Sequence, residues 1–583
     1  MQTYICEKPS QARDIAAILG AVQRQDGFLK GSGAVVTWCF GHLLELAAPG
    51  DYGPQWKSWS MESLPIIPGT WKYNVPKHTK KQVGVIKKLL ADASEVVIAT
   101  DADREGELIA RELLVKYKYK GKLKRLWLSA LDAASIKKAL SQMLDGDKTR
   151  PLYEAALARS HADWLIGMNL TRAYTQIGRA VGLTGSDKTR GVIAVGRVMT
   201  PTLRMVCERD EAITNFVVRP YYEVHASASA GGGSPDAVFP VKWIPAPEHG
   251  DKNFDESDRC LDRETAERVR AAVVGPGTAR AVKIEHKQER PPQPFSLSAL
   301  QQRASARFSL SAKNTLQTAQ DLYEKHKITT YPRSDCGFLP MSMHAEAGAV
   351  FAALEKGDPS IADQLAGADL SLKGRVFNDK KITAHHAIIP TRKAPDMDAL
   401  APNERKLYEM IRRRYIAQFY PNREYTAGRI DCEFAGNAFS GTSQRTAAAG
   451  FRVLWPPEKK KDPAEAGVDF SSVKKGDSLV CHKAAVKDCE TSPPKRYSEG
   501  GLIALMKKTG LGTEATRADT IEKLKRLEFV KLDKKNIRST DYGRRVMGIL
   551  PPRVSDPETT ARWEDQREHL NRKLRFGDLF LLE

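Results

Sequence analysis

Apolar runs and amphipathic stretches alternate over the first 150 residues. Short apolar runs at 2–6, 34–40 and 95–100 predict strands. A helical spacing of apolar residues follows the first and the third of these runs. Strands that alternate with helices are typical of a parallel α/β sheet. The pattern therefore predicts an α/β domain over residues 1–150.

Beyond residue 150 the spacing changes from helical to strand-like and back more than once. The predicted units are a discontinuous helical domain at 151–215 and 490–583, a discontinuous β-rich hinge or arch domain at 216–285 and 405–489, and a helical domain at 286–404. Two β segments that flank an inserted helical block are expected to form one domain. The sequence thus predicts a multidomain fold of α/β, α and β units, which suits 583 residues.

The net charge of the chain indicates what kind of partner it binds. The formal net charge is +20, which favours a polyanion, and nucleic acid is the first candidate. The eight cysteines include no C-x-x-C pair, which argues against a zinc finger. No run approaches the roughly 18 apolar residues of a membrane span, so no membrane association is expected. Gly191 and Gly196 have the spacing of an ATP-binding loop, but Arg197 stands where that loop requires lysine.

Four carboxylates follow the ends of two predicted strands. Glu7 follows the first strand, and Asp101, Asp103 and Glu105 follow the third. Ligands bind outside the carboxyl ends of parallel strands, and Mg²⁺ prefers carboxylate and phosphate oxygens. The bland alternative is an acidic turn that caps a helix. Lys8 lies beside Glu7, where an ammonium can stabilise charge developing on a phosphate, or can simply be a solvated lysine.

A tyrosine and an arginine lie close together in the segment 328–336. Pro332 favours an extended conformation at Tyr331, so that Tyr331 and Arg333 can reach one phosphate. A tyrosine placed in this way can act as a covalent nucleophile, although a tyrosine in a β-prone run is more often a core residue. His385 lies in a later segment and can donate a hydrogen bond to a phosphate, or can be a packed loop histidine.

Seven segments together resemble the type IA DNA topoisomerases, in particular their bacterial topoisomerase III branch. They are Glu-Lys-Pro-Ser at 7–10, Asp-Ala-Asp-Arg-Glu-Gly at 101–106, Gly-Arg-Val-Met-Thr-Pro at 196–201, Phe-Ser-Leu-Ser-Ala-Leu at 295–300, Ile-Thr-Thr-Tyr-Pro-Arg-Ser-Asp at 328–335, Ala-His-His-Ala-Ile-Ile-Pro-Thr at 384–391 and Gly-Leu-Gly-Thr-Glu-Ala-Thr-Arg at 510–517. They occur in the family's order and span nearly the whole chain. The resemblance implies an N-terminal Toprim domain, with helical and β-rich domains that form a toroid around a DNA-sized hole.

The resemblance also implies a reaction. Tyr331 is expected to attack a phosphodiester of single-stranded DNA and to keep the 5′-phosphate, after which another strand passes and the break is resealed without ATP. The expected outcome is relaxation of negatively supercoiled DNA, whose unpaired regions would be the substrate. A bacterial cytoplasmic enzyme acting on nucleoid or plasmid DNA, a monomer and a helicase partner fit this expectation. Some relatives have a basic insertion where this chain has only 507–509, so strong decatenation is not expected.

Residue roles follow from the same resemblance. The expected Mg²⁺ ligands are Glu7, Asp101, Asp103 and Glu105; the expected catalytic residues are Tyr331, Glu7, Lys8, Arg333 and His385, with His386 as a weaker substitute for His385; and the expected DNA contacts are Arg197, Arg159, Arg172, Thr513 and Arg517. Thr513 is expected just before a helix whose free amides hold a phosphate. Met199 stands where the family usually has glutamine, which removes one polar contact to DNA.

Two alternatives stay open at this point. A different Toprim enzyme, such as a primase or a nuclease, would use the carboxylates and the metal without a tyrosine nucleophile. A non-catalytic DNA-binding protein would keep the fold without the reaction. Tyr331 is the residue that separates these alternatives, because only a topoisomerase needs its phenol oxygen.

Overall fold

The computed structural model describes residues 1–185, 190–230, 238–247, 251–382, 385–455 and 470–570. The end of the predicted 490–583 segment, residues 571–583, lies outside this part of the chain, as do residues 383–384 at the start of the histidine segment.

The N-terminal part is built on a seven-stranded sheet. In spatial order its strands are Gln23–Gln25, Phe28–Lys30, Ala34–Trp38, Gln2–Cys6, Glu95–Ala99, Lys122–Arg125 and Leu144–Asp145. The first strand of the chain pairs in parallel with Ala34–Trp38 on one side and with Glu95–Ala99 on the other. The three predicted strands are therefore present and adjacent. Because Cys6 pairs with Ala99, the residues that follow these two strands lie side by side.

Helices cover both faces of this sheet. They are Pro9–Leu19, Lys80–Asp92, Arg104–Lys116 and Ala133–Ser141, with a short turn of helix at Pro49–Tyr52 and a two-stranded ribbon of Glu45–Leu46 and Tyr73–Asn74. The third helix begins at Arg104 because the Asp103 side chain accepts a hydrogen bond from the Gly106 amide and caps it. This helix starts immediately beyond a central strand, so its first turn lies at the acidic edge of the sheet.

Six strands form a closed barrel in the middle of the chain. In order around the barrel they are Pro220–Ala230, Phe239–Trp243, Asn437–Ala448, Arg423–Phe434, Gly275–Glu289 and Ser478–Glu490, and helix Arg263–Ala272 packs against them. Strands from both predicted β segments contribute to this barrel. Its core is made of alternating inward side chains, with Phe239, Phe434, Phe439 and Phe470 almost fully buried.

The block that carries Tyr331 is inserted between two barrel strands. Its helices are Leu297–Phe308, Ala312–Asp321, Leu322–His326 (a π-helical turn), Met341–Ala345, Ala347–Gly357, Ala362–Ala366 and Pro402–Ile416, with short 3-10 turns at Pro359–Ile361, Asp379–Lys381 and Ala417–Phe419. The boundary predicted between residues 404 and 405 is wrong, because it cuts the helix Pro402–Ile416. Leu407, Ile411 and Tyr415 of this helix are buried in the core of the tyrosine block, not in the barrel.

The remaining helices form one unit from two distant parts of the chain. They are Arg150–Ala180, Met199–Thr214, Glu499–Lys508, Arg517–Arg526, Asp541–Ile549, Pro552–Ser555 and Pro557–Leu570, with a hairpin of Val530–Asp533 and Asn536–Ser539. Met199 is buried in the core that these helices share, so its apolar side chain fills a packing position. The helix Arg150–Ala180 also contacts a loop of the sheet domain, where the His161 ring stacks on the Trp71 ring with centroids 3.8 Å apart.

Candidate active site

The four predicted carboxylates lie at the carboxyl edge of the sheet. The Asp101 amide donates to Glu7 Oε2 at 3.1 Å, so the two strand ends are joined directly. Gln11 orders both loops, because its side-chain amide donates to Asp101 Oδ1 at 3.2 Å and its oxygen accepts from the Glu7 amide at 3.0 Å. Glu7 and Asp101 are buried, each about 4% exposed. The sequence could not identify Gln11, whose only signal is one helical turn of separation from Glu7.

Charge crowding shifts the pKa values of this edge. Burial raises the pKa of Glu7 well above its ordinary value, and the neighbouring Asp101 raises it further. Burial disfavours the Lys8 ammonium, but Asp101, Glu7 and Glu324 more than offset this and raise the pKa of Lys8. Lys8 Nζ lies 3.3 Å from Asp101 Oδ2 and 2.7 Å from Glu324 Oε1. Lys8 is therefore held as a cation within an acidic pocket.

Tyr331 reaches this pocket from the other block. Its hydroxyl donates to Asp103 Oδ2 at 2.6 Å, and its amide donates to the Ser129 carbonyl of the sheet domain at 2.9 Å. The ring is 3% exposed and packs edge-on against Tyr323, with centroids 5.6 Å apart. Burial raises the pKa of the Tyr331 phenol well above its ordinary value, and Asp103 and Asp101 raise it further. In this state the phenol is protonated and bonded to a carboxylate.

Further contacts join the tyrosine block to the sheet domain around this bond. Arg333 lies in a turn rather than in the predicted extended segment, yet its Nη1 still donates to Glu105 Oε2 at 2.9 Å. Lys327 pairs with Asp14 across the same interface. Tyr331 and Arg333 thus contact neighbouring carboxylates of one acidic segment, and the intervening Pro332 lies in a turn. Their joint contact with one phosphate stays a prediction.

The two histidines occupy different surroundings. The His385 ring lies 4.6 Å from the Tyr331 ring and stacks on Trp127 at 6.0 Å. Neither His385 nitrogen has a hydrogen-bond partner among the described residues, and burial lowers its pKa. His386 turns away, with its Nδ1 bonded to the Ala387 carbonyl at 2.9 Å, and burial lowers its pKa to about 4. A neutral His385 beside the phenol is the better placed of the two to bind a phosphate.

Sequence reasoning missed a buried arginine that supports the acidic loop. Arg125 is fully buried, and its Nη2 donates to the Asp101 carbonyl at 2.6 Å while its Nε lies 2.6 Å from Glu107 Oε1. Glu107 is also fully buried and pairs with Arg111. Both glutamate oxygens therefore face cations, as a charge buried this deeply requires. The available signal was Glu107 itself, which continues the alternation of Asp101, Asp103 and Glu105 by one step.

The residues at this edge fit a divalent cation by their chemistry. Carboxylate oxygens are the ligands that Mg²⁺ prefers, and the crowding that raises the Glu7 pKa is the condition that a cation relieves. In the structure, side-chain cations pair with two of these carboxylates: Lys8 contacts Asp101, and Arg333 contacts Glu105. Within the described residues, no three His, Cys, Asp or Glu side chains are grouped so that they could hold one ion.

Two predicted DNA contacts lie together on the helical unit. Arg197 Nε donates to Asp163 Oδ1 at 2.8 Å, and Arg159 Nε lies 3.7 Å from the other oxygen of the same carboxylate. The Asp163 side chain is 44% exposed, whereas that of Arg197 is only 1% exposed. A DNA phosphate would therefore have to compete with Asp163 for these guanidinium groups.

The other predicted DNA contacts have internal partners. Arg172 is 6% exposed and donates to the carbonyl of Trp56 at 2.8 Å, which ties the sheet domain's loop to the long helix. The helix expected just after Thr513 begins at Arg517, and the Thr513 amide donates to Thr516 Oγ1 at 2.9 Å. Thr513 therefore offers no free helix amide to a phosphate, because its amide closes a turn. Arg517 is 7% exposed and bonds to the loop before it.

A parallel sheet with an acidic edge, a six-stranded barrel and two helical units, joined at a buried tyrosine, form the architecture of a type IA DNA topoisomerase. The chain belongs to the DNA topoisomerase family: the family model for DNA topoisomerase matches residues 147–572, and the Toprim domain model matches residues 2–131.

Relatives and a solved structure support this assignment. The chain is 36% identical to DNA topoisomerase 3 of Vibrio cholerae and 38% identical to DNA topoisomerase 3 of Salmonella typhimurium, over 98% of this chain and 90% of each relative. The full-length topoisomerase I of Thermotoga maritima has the same fold, with a TM-score of 0.72 over 99% of this chain and 88% of that one, at 23% identity. The predicted topoisomerase III branch and multidomain fold are confirmed. None of the helices in the described ranges is long and apolar enough to cross a membrane.

Proposed function

We propose that this type IA topoisomerase cuts single-stranded DNA at the interface between its Toprim sheet and its tyrosine block, with Tyr331 as the nucleophile. The hydrogen bond of 2.6 Å from the Tyr331 hydroxyl to Asp103 carries the proposal. It brings the phenol oxygen to the acidic edge although the two residues are 228 positions apart in the sequence. The neighbouring Tyr323 ring packs against Tyr331, but its hydroxyl has no hydrogen-bond partner among the described residues, which favours Tyr331.

The bond changes in the cut are simple. The Tyr331 oxygen forms a bond to the phosphorus, and the bond from phosphorus to the 3′ oxygen of the preceding nucleotide breaks. Asp103 Oδ2 takes the phenol proton along the existing hydrogen bond and passes it to the leaving 3′ oxygen. Resealing runs the same transfers backwards, so neither ATP nor a net proton is consumed.

Neighbouring side chains supply the electrostatic part. Lys8 and Arg333 are the cations beside the acidic edge, and we assign them to the phosphate oxygens, on which negative charge builds up during the attack. His385 has no hydrogen-bond partner for either nitrogen among the described residues and lies against the Tyr331 ring, so its N–H is available to a phosphate oxygen. Glu7 lies behind Asp101 and completes the acidic pocket.

Metal dependence belongs to the same proposal. The side chains that would hold Mg²⁺ are Glu7, Asp101, Asp103 and Glu105. When bound, the ion would neutralise phosphate charge and help to orient the strand. Asp103→Asn should therefore impair relaxation, both by weakening the metal site and by removing the proton acceptor. Unchanged relaxation by this variant would reject both roles.

The DNA-level outcome follows from the substrate. An attack on a single strand requires unpaired DNA, so we propose relaxation of negatively supercoiled DNA as the main activity and weak decatenation, given the short segment 507–509. Arg197 and Arg159 are the predicted DNA contacts with the strongest remaining case, because their shared partner Asp163 is 44% exposed and can be displaced. A helicase partner, a monomer and a DNA-sized hole remain part of this proposal.

A covalent-trapping experiment tests the nucleophile. Wild type, Tyr331→Phe and Tyr408→Phe are mixed with a 3′-labelled single-stranded oligonucleotide and Mg²⁺, and then denatured. We expect a labelled protein adduct from wild type and from Tyr408→Phe, which removes a buried phenol with no hydrogen-bond partner in the described structure. Tyr331→Phe should give none while still binding the oligonucleotide. An adduct from Tyr331→Phe would refute the assignment, and strand cutting by that variant would favour a metal-only nuclease.

A further inference from the structure

A cavity of about 290 Å³ opens beside the active site at the same domain interface. Its walls come from the sheet domain on one side, including Trp127, Ser129 and Lys138, and from the tyrosine block on the other, including Thr330, His386 and Arg392. A cavity of this size can hold a nucleoside-sized group.

The cavity lining holds two cations, Lys138 and Arg392, and two carboxylates, Asp132 and Glu346, so its formal charges balance. Glu346 is shared between two cations, with its oxygens 2.7 Å from Lys138 Nζ and 3.9 Å from Arg392 Nη1. Asp132 is the other acid in the lining, but its carboxylate is bonded to the Ser135 amide and caps a helix. Lys138 is 45% exposed, so the cation pair is accessible to an anion that enters from solvent.

A buried hydrogen-bond acceptor also lines the cavity. His386 donates from Nδ1 to the Ala387 carbonyl, which leaves Nε2 with a lone pair. Nε2 is buried and has no partner in the described part of the chain, and the residue is only 7% exposed. An unmet acceptor of this kind costs free energy unless a ligand or water donates to it. The amino or ring N–H groups of a nucleobase are suitable donors.

The cavity is next to the nucleophile in both chain and space. Thr330 lines it, while the next residue, Tyr331, points to Asp103. Trp127 connects the two sites, because its ring stacks on His385 beside Tyr331 and also lines the cavity. A strand fixed to Tyr331 by its 5′-phosphate would have its next nucleotides within reach of this opening.

We propose that the cavity is the subsite for a nucleotide on the 3′ side of the broken phosphate, with its base toward His386 Nε2 and a backbone phosphate between Lys138 and Arg392. This inference rests on the proposed attack by Tyr331, since only a 5′-phosphotyrosine leaves that part of the strand on the tyrosine block. The site would hold the cut end in place while the other strand passes.

Abasic substrates test the base part. A single-stranded oligonucleotide with one mapped cleavage site is compared with versions that lack the base at the first, second or third nucleotide on the 3′ side. We expect the absence of one of these bases to lower the yield of covalent adduct with wild type by about tenfold. His386→Leu should lose this discrimination, and His386→Gln, which keeps an acceptor, should retain much of it. If none of the missing bases changes the adduct yield with wild type, the base subsite is refuted.

Charge variants test the phosphate part and exclude a mere interface contact. Lys138→Ala should lower the adduct on the intact oligonucleotide by about fivefold and weaken its salt dependence. Lys137→Ala is the matched control, since Lys137 is its exposed neighbour and is absent from the cavity lining. Glu346→Gln should raise the adduct, because it removes the competitor for both cations. If the Lys138–Glu346 pair only holds the domains together, both substitutions will shift the adduct in the same direction, and the proposal fails.

The adduct measurements separate a failure of the proposed subsite from a failure of the proposed nucleophile. If Tyr331 is not the nucleophile, Tyr331→Phe still forms an adduct on every substrate. If the nucleophile is correct but the subsite is not, wild type forms adducts normally and ignores the missing bases on the 3′ side.

Discussion

Arg517 tests whether an arginine that was predicted to contact DNA has a structural role instead. Its Nη1 lies 2.8 Å from Glu514 Oε1 and 3.2 Å from Ser298 Oγ, and its Nε and Nη2 bond to the carbonyls of Leu511 and Gly512. Glu514 in turn accepts from the Ser298 amide at 2.9 Å, at the start of a helix in the tyrosine block. Arg517 therefore connects the glycine loop of the helical unit to the block that carries the nucleophile.

Arg517→Ala should loosen this junction by a predictable amount. Removing one partner of a buried ion pair costs about 3–5 kcal/mol. Glu514 keeps a second cation, Lys507, at 3.4 Å, so the lower end of that range, about 3 kcal/mol, is expected. At about 1.4 kcal/mol per factor of ten, local opening should become roughly a hundredfold more frequent. Hydrogen exchange of the amides of Ser298, Leu511 and Arg517's replacement should accelerate accordingly.

The assay needs a matched arginine and a DNA readout. Arg526→Ala, an exposed residue of the same helix, should leave exchange at the junction unchanged. The salt dependence of single-strand binding is measured in parallel, because loss of one phosphate contact lowers its logarithmic slope by about 0.7. Unchanged exchange together with a flatter salt slope for Arg517→Ala would refute the structural role and restore the DNA contact that the sequence predicted.

Other perturbations follow from the domain contacts. Burial lowers the pKa of His161 to about 4, so the unfolded state binds more protons between that value and 6.5, and stability falls as pH drops through this window; His161→Gln should flatten that loss in thermal melts followed by tryptophan fluorescence, and an equal loss in both proteins would contradict it. Lys327→Ala removes the ion pair with Asp14 across the interface, which contributes about 1 kcal/mol. The population with the two domains separated should rise about fivefold in a FRET assay. Unchanged FRET would count against this prediction. Arg172→Ala should lower the melting temperature and leave the salt slope of DNA binding unaltered, whereas a flatter slope would identify a phosphate contact.

The acidic edge was predictable from the sequence for a physical reason. Two apolar runs that read as parallel strands place the residues after them at one edge, and the observed register of Cys6 beside Ala99 brings Glu7 and Asp101 together. Local pattern carries this information because strand ends and sheet edges are determined within short segments. The contact from Tyr331 to Asp103 lies beyond local pattern, since it depends on how two domains pack, and only the family resemblance brought the two segments together.

The roles of arginines are harder to assign from sequence. The family resemblance made Arg172 and Arg517 candidates for DNA binding, but their burial depends on what packs over the helices that carry them. Arg172 meets carbonyls of a loop more than 100 positions away, and Arg125 is buried between a strand end and Glu107. A guanidinium group can satisfy several backbone carbonyls at once, which makes arginine as suitable for joining segments as for binding phosphate. Sequence alone does not separate these uses.

The acidic edge has two tasks that oppose each other in the closed state. Asp103 and Glu105 hold the interface by accepting from Tyr331 and Arg333, and the same contacts keep the phenol hydroxyl and the guanidinium group paired. In the proposed reaction, a phosphate that enters would draw Arg333 away from Glu105, and the attack by Tyr331 on phosphorus would break its hydrogen bond to Asp103. Each chemical step thus removes one contact that joins the two domains. In the proposed reaction the cut would therefore loosen the interface at the moment when a strand needs to pass.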